Sequence, residues 1–415
     1  MTTQERGPIR RPALSRCIRV DEDTFAEEYW GRRALLSTAD ELAGRPGNER
    51  GFSDLFTAAS VDELVTRRGV RTPFIRMARQ GSVLAPGAFT ASGGFGAEVA
   101  DQVSSEKVLR EFAAGATIVL QGLHRLWPAL IDFTRELVAD IGHPAQVNAY
   151  VTPPSSQGFS PHYDTHDVFV LQVAGEKHWL IHEPVRENPL ADQPWSQVSA
   201  EVAARAEGEP AIDAVLRPGD ALYLPRGWIH SATALGDTSV HLTIGMSAYT
   251  GKDVVDALLG VIREVPELRA SLPLGVDLSD AEALAPLVAA TTARLAAALA
   301  DADPALVSRA LSARFERAIR PEPVAPLAAL AAAAGLGPDD SVRWRAGVDV
   351  RLEDAGDRVR IVSPGVTLGL PAEARPALEA LVRGDRIAVR DLPGLDGDSA
   401  LVVTRRLLRE GLVVA

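Results

Sequence analysis

The chain has 415 residues, more than one compact core usually accommodates, so two or three domains are expected. A hydrophobic content of 46% excludes wholesale disorder, and a net charge of -12 argues against unspecific binding of nucleic acid. Cys17 is the only cysteine, which excludes an internal disulfide and a thiolate zinc cage and favours the cytoplasm; no uninterrupted apolar run reaches the roughly 18 residues of a membrane span, so no membrane association is expected.

Met1 to Arg11 is polar and Arg-rich without an apolar stretch, and reads as a flexible start instead of a signal peptide. Phe25 to Trp30 and Ser60 to Leu64 look like helix starts, the second with Ser60 as N-cap and Glu63 completing a capping box. From about residue 70 the period shortens. Thr117–Gln121, Gln146–Val151, Val168–Val173, His178–His182, Ala221–Leu224 and Val240–Ile244 are short β-type runs bounded by Gly and Pro, with one helix around Trp127 to Ile141. Many short strands with turn signals point to a sandwich or barrel of the jelly-roll kind. Val168 to Val173, a turn at Gly175, and Lys177 to His182 read as a hairpin. Residues 251 to 335 are rich in Ala and Leu at helical period; Gly335-Leu-Gly-Pro338 is a stop and a linker. Strands near Asp349–Leu352 and Val359–Val362 and helices over Pro371–Arg383 and Ser399–Glu410 follow, a pattern consistent with a winged helix.

The chemistry concentrates in Gly158-Phe-Ser-Pro-His162-Tyr-Asp164 and Pro225-Arg-Gly-Trp-Ile-His230. Residues two apart in an extended segment face the same side, so His162 and Asp164 point together into one cavity. His230 from a distant strand completes two imidazoles and one carboxylate, a set that binds one face of Fe(II) and leaves positions open. By itself such a pattern also arises by chance from satisfied polar core residues. Pro218-Gly-Asp220 and Pro225-Arg-Gly227 flank a short strand and present His230 at an element end. Lys177 is one of only three lysines in the chain, and its ammonium is placed to pair with a carboxylate.

Asn148-Ala-Tyr-Val-Thr-Pro-Pro-Ser-Ser-Gln-Gly-Phe-Ser-Pro-His-Tyr-Asp164, Phe169-Val-Leu-Gln172 and Gly175-Glu-Lys-His-Trp179 together resemble the JmjC-type ribosomal oxygenases, cupin-fold proteins that hydroxylate side chains of ribosomal proteins. The resemblance implies a mainly β double-stranded β-helix with N-terminal helices, then an α-helical dimerisation region and a winged-helix-like domain. The corresponding spans are 1–250, 251–337 and 338–415. It implies His162, Asp164 and His230 as ligands of Fe(II), and 2-oxoglutarate and O2 as cosubstrates. Lys177, fifteen residues after His162, would hold the distal carboxylate, with Thr243 as a second partner and Asn148 and Tyr150 in the same pocket. His166, Asp167 and Trp228 are candidate substrate walls. Two segments depart from the family pattern: Thr165-His166-Asp167 replaces an acidic pair, and Thr243-Ile-Gly-Met-Ser-Ala-Tyr249 replaces a Ser/Thr and Tyr-Gln ending.

The reading is a hydroxylase of a protein or peptide side chain, a ribosomal protein among the candidates, working as a homodimer. A small-molecule substrate and a non-catalytic metal sensor are the rivals. His124, His143, His178 and His182 read as structural, and so does His241. Residues 341 to 415 carry twelve Arg against eleven acids, which is no basic footprint for DNA.

Overall fold

The computed structural model describes residues 11–415 apart from 80, 97, 155, 157–159 and 364; the polar N-terminal start and the Gly158-Phe159 part of the histidine motif lie outside the described residues. The chain divides into two compact units, Met1–Tyr249 and Thr250–Ala415.

The first unit is built on one antiparallel sheet. Its strands are β1 (Leu35–Ser37), β2 (Ile75–Arg79), β3 (Ser82–Val83), β6 (Thr117–Leu120), β7 (Ala145–Thr152), β8 (Asp167–His182), β9 (Ile212–Leu216), β10 (Ala221–Leu224) and β11 (Ile229–Met246), while β4 (Thr90–Ala91) and β5 (Gln102–Val103) pair separately. The path runs β1-β10-β8-β11-β7-β6-β2-β3, with β9 added beside β8. One face of this sheet carries Phe169, Leu171, Tyr223, Leu242 and Ile244, which join one core with Phe25 and Tyr29 and with Leu130, Phe133 and Leu137 of the helix Pro128–Ile141. The other face carries Val168, Val170, Trp179 and Leu224 and lines a cavity. Burial on both faces explains why Val168–Leu171 reads as a continuous apolar run.

Gly175 does not turn the chain back. The expected hairpin is instead one strand, β8, that bends: its first half pairs with β10 over Val168–Leu171, its second with β9 over Lys177–Ile181, and β11 follows both halves. The β8–β11 register slips between Leu235 and Val240, opposite Gly175, so both strands bulge together. Gly175 has φ +63°, and a Cβ there would lie 2.3 Å from the Thr238 carbonyl oxygen, so only glycine fits. The bulge reverses which residues face the cavity. Val168 and Val170 point inward before it, Lys177 and Trp179 after it. An unbroken alternation would have placed His178 inward and Lys177 outward. His178 instead bonds Asp213 outside, Nε2 to Oδ1 at 2.6 Å.

Two helix starts also differ from expectation. The helix Ala58–Arg67 begins at Thr57, whose hydroxyl accepts from the Ser60 amide while the Ser60 hydroxyl accepts from the Thr57 amide; Ser60 is thus the third residue of the box and not the cap. Phe25–Tyr29 forms a single widened turn closed by Trp30 N donating to Phe25 O.

In the second unit, helices Gly251–Ile262, Ala281–Ala300, Pro304–Ala318 and Pro326–Gly335 occupy the Ala/Leu-rich stretch, with Asp280 and Asp303 as N-caps and Pro304 and Pro326 as first residues. Ala281–Ala300 has 20 residues and a mean hydropathy of 1.6, long and apolar enough to cross a bilayer by length and composition, although Glu282, Pro286 and Arg294 interrupt it. A separate core gathers Val342, Trp344, Leu378, Leu381, Leu407 and Leu408, with helices Arg375–Val382 and Gly397–Arg409 packed around the strand Ser341–Trp344. A three-stranded meander, Arg351–Ala355, Arg358–Ser363 and Val366–Pro371, lies between, and its third strand was not apparent in the sequence.

Candidate active site

His162, Asp164 and His230 converge at one wall of the cavity, with one ligand atom from each lying within 4.8 Å of the others. Two backbone hydrogen bonds, His162 N to His230 O at 3.2 Å and His230 N to His162 O at 2.8 Å, clamp the two segments as an isolated bridge. The turn at Gly227, whose amide donates to Asp164 O at 3.0 Å, aims His230 inward. Each imidazole Nδ1 sits on a main-chain carbonyl: His162 on Ser160 at 2.7 Å, His230 on Trp228 at 3.1 Å. Carbonyls only accept, so both Nδ1 atoms carry a proton, which leaves Nε2 as the ligating atom of each ring. His230 Nε2 is 3.8 Å from Asp164 Oδ2.

Protonation agrees with ligation. Burial, reinforced by the neighbouring His162, pushes His230 below the usual imidazole range and keeps it neutral. Burial alone would raise Asp164, yet His230, His166, His162 and Arg76 outweigh it and hold the carboxyl below its ordinary value. Two imidazoles and one carboxylate on a single face match a divalent cation of Fe(II) type with open positions.

Lys177 lines the same cavity, which has a volume of about 250 Å³. It is 3% exposed, its Nζ donates to Thr152 Oγ1 at 3.2 Å and sits 5.8 Å from the Trp179 ring centre, and burial pushes its pKa down to about 7. No carboxylate of the described chain pairs with it. A cavity that holds both a buried lysine and a face of two imidazoles and a carboxylate suits a short dicarboxylate with a chelating head.

Tyr150 and Thr243 line this cavity. Four other expected residues do not belong to its described lining. Asn148 shares the face of Thr243, its cross-strand partner, but its Oδ1 accepts from Gly122 N at 3.1 Å and braces the turn before Pro128–Ile141. Asp167 is fully buried and accepts from Arg226 N at 2.7 Å, fastening the turn that carries His230. Trp228 packs its indole against the Val168 and Leu224 side of the core and serves the site only through its carbonyl. His166 covers Gly245, where a Cβ would come within 2.6 Å of the imidazole. Among the other histidines, His124 Nδ1 accepts from Val147 N and His143 Nδ1 from Tyr249 N, both bracing strand ends.

The structure adds residues that sequence reasoning missed. Thr152, Trp179 and His241 each stand two residues from Tyr150, Lys177 and Thr243 on the same strand, so same-face spacing was an available signal. Arg76 and Thr117 come from β2 and β6, and Trp195 from the short 3-10 helix Trp195–Val198, with nothing in their sequence context to mark them.

A face of two imidazoles and a carboxylate inside a bent antiparallel sheet is the arrangement of mononuclear non-haem metal sites in cupin-type folds. Residues 129–254 of the chain match the JmjC domain model. Through this region it is 43% identical over 138 residues to the bifunctional lysine-specific demethylase and histidyl-hydroxylase NO66 of Drosophila persimilis, covering 31% of this chain and 19% of that protein. It is 38% identical over 175 residues to ribosomal oxygenase 1 of Rattus norvegicus, covering 39% of this chain and 28% of that one. The chain thus spans less than a third of the length of the curated relatives it matches. The structure of YcfD, a ribosomal oxygenase from Escherichia coli in complex with cobalt and 2-oxoglutarate, shares the fold: TM-score 0.51 and 18% identity, over 96% of this chain and 99% of that one.

Proposed function

We propose that this chain is an Fe(II)- and 2-oxoglutarate-dependent oxygenase that hydroxylates a side chain of a protein or peptide. The observation that carries this reading is the pairing, in one cavity, of the His162–Asp164–His230 face with a buried lysine that has no carboxylate of its own. Bound Fe(II), with 2-oxoglutarate and O2, supplies the C–H hydroxylation chemistry, with succinate and CO2 as co-products. The chain's own contribution is positioning. His162, Asp164 and His230 hold the metal; Lys177 and Thr152 receive the distal carboxylate; Thr243 lines the path between. Trp179, Val168, Val170 and Leu224 exclude water around the cosubstrate. The likeness to ribosomal oxygenase 1 makes ribosomal proteins the first candidate substrates, and the acidic chain suits a basic partner by steering.

The test is an anaerobic titration of the apoprotein with Fe(II), with and without 2-oxoglutarate, read by the visible charge-transfer band of the chelate. A band that needs both components and disappears in His162→Ala and His230→Ala is the expected result. A folded protein without the band would refute the reading.

The helical stretch suits a homodimer. Val254, Val255, Leu259, Leu272, Leu278 and Val288 are all exposed in the single chain, an apolar surface that a second copy would cover. Light scattering on the full chain should give twice 44.2 kDa, and a monomer would remove the proposal.

A further inference from the structure

The cavity holds a second cation that the cosubstrate does not use. Arg76, on β2, reaches over β6 toward β7 and lines the same space as the metal face. Its guanidinium donates to the Tyr150 hydroxyl, and Tyr150 in turn stacks on His241 with ring centres 5.2 Å apart and planes within 3°. Arg76, Val119, Tyr150 and His241 are successive cross-strand neighbours on β2, β6, β7 and β11, so one row of four strands holds the guanidinium in place. The Arg76 Nε is buried without a hydrogen-bond partner, and His241 Nδ1 and Trp179 Nε1 are likewise unpaired. Arg76 Nε and Trp179 Nε1 are thus unmet donors on the cavity wall. Among the described lining residues the only carboxylate is Asp164.

Charge leads to the same place. Lys177 and Arg76 bring two positive charges and Asp164 one negative. A divalent metal adds two and a dicarboxylate cosubstrate removes two, which leaves one positive charge over. A low-dielectric cavity closes most favourably when the last group to enter cancels that charge. Arginine is the residue suited to doing this with a carboxylate, through two parallel N–H···O bonds.

We propose that Arg76 selects a substrate bearing a carboxylate, which the guanidinium fixed by Tyr150 holds beside the metal face. The inference rests on the oxygenase reading above and narrows it: the group to be oxidised stands close to an acidic side chain of a peptide or to the carboxylate of a free small acid. The field inside the cavity is thus opposite in sign to that of the whole chain.

The full-length protein loaded with Mn(II) and 2-oxoglutarate tests this without turnover. Calorimetry first measures Mn(II) and 2-oxoglutarate binding. Paramagnetic relaxation of probe protons then reports which molecules approach the metal. The probes are N-acetyl-L-aspartate and the blocked peptide acetyl-Gly-Asp-Gly-amide, with acetyl-Gly-Asn-Gly-amide and acetyl-Gly-Arg-Gly-amide as neutral and cationic controls. The acidic probes should bind at least tenfold more tightly than the controls. Arg76→Gln should abolish that preference, and Arg76→Lys should keep part of it. A tighter peptide names a protein substrate, a tighter free acid a metabolite, and either supports the proposal. No acidic preference overturns it. So does a preference that survives Arg76→Gln, or a loss of 2-oxoglutarate affinity in that variant by the same factor, which marks a purely structural role. Failure of Mn(II) or 2-oxoglutarate to bind the unaltered protein appears in the calorimetry alone, refutes the oxygenase reading, and removes this inference with it.

Discussion

On the proposed reading, Lys177 makes cosubstrate binding a proton-coupled event. In the empty cavity its pKa is about 7, lowered from 10.5 by burial. At about 1.4 kcal/mol for each power of ten in proton affinity, that displacement is worth roughly 5 kcal/mol. A dicarboxylate placed beside Nζ favours the ammonium and returns the pKa toward its ordinary value. At pH 8 only about a tenth of the empty protein carries this proton, so binding should take up about 0.9 proton; at pH 6 the uptake should fall to about 0.1. Calorimetric titration of the Mn(II)-loaded protein with 2-oxoglutarate, in buffers of differing ionisation enthalpy, measures the number directly. The stability of the empty protein follows with a definite sign. The unfolded chain binds more protons than the folded one between about pH 7 and 10.5, so stability rises with pH across that window and the full penalty is present below it. Lys177→Met should flatten that slope, raise the melting temperature of the empty protein near pH 7 and remove the proton uptake. Binding at pH 8 without proton uptake would refute the reasoning.

Two further changes test the scaffold. Gly175→Ala should destabilise the first unit by at least about 2 kcal/mol in chemical denaturation, because the new Cβ meets the Thr238 carbonyl and the backbone is held at positive φ; a variant as stable as the parent would show that the bulge is not required. Asp167→Ala should cost about 3 kcal/mol and weaken metal binding tenfold or more, since it frees the Arg226 amide and loosens the turn carrying His230; unchanged metal affinity in a destabilised protein would separate the two effects.

The metal triad was legible in the sequence because its information is local. His162 and Asp164 lie two apart on one extended segment, and glycine turns frame the segment that ends in His230. Lys177 was legible by its rarity and by the family spacing. The reason it faces inward was not legible, because parity along β8 depends on the bulge at Gly175, and that bulge exists only where β11 runs alongside. The same dependence hid the length of β11, of which Val240–Ile244 alone showed a strand pattern within Ile229–Met246.

Asn148, Asp167 and Trp228 mark the other limit. Each has the right chemistry at the right spacing, yet Gly122, Arg226 and the Val168–Leu224 core claim their side chains for bracing and packing. Arg76 is the converse, an unremarkable arginine in a short strand until β6 and β7 bring it over Tyr150. By itself the sequence indicated the β-rich class of the first unit, the grouping of His162, Asp164 and His230, and Lys177 as a residue of their cavity, since these reside in alternation, turns and near-neighbour spacing. Only the tertiary structure decided which polar groups meet in the cavity. Cross-strand pairing joins residues far apart in the chain, and burial, which sets both their charge state and their unmet hydrogen bonds, belongs to the assembled sheet and to no segment of it.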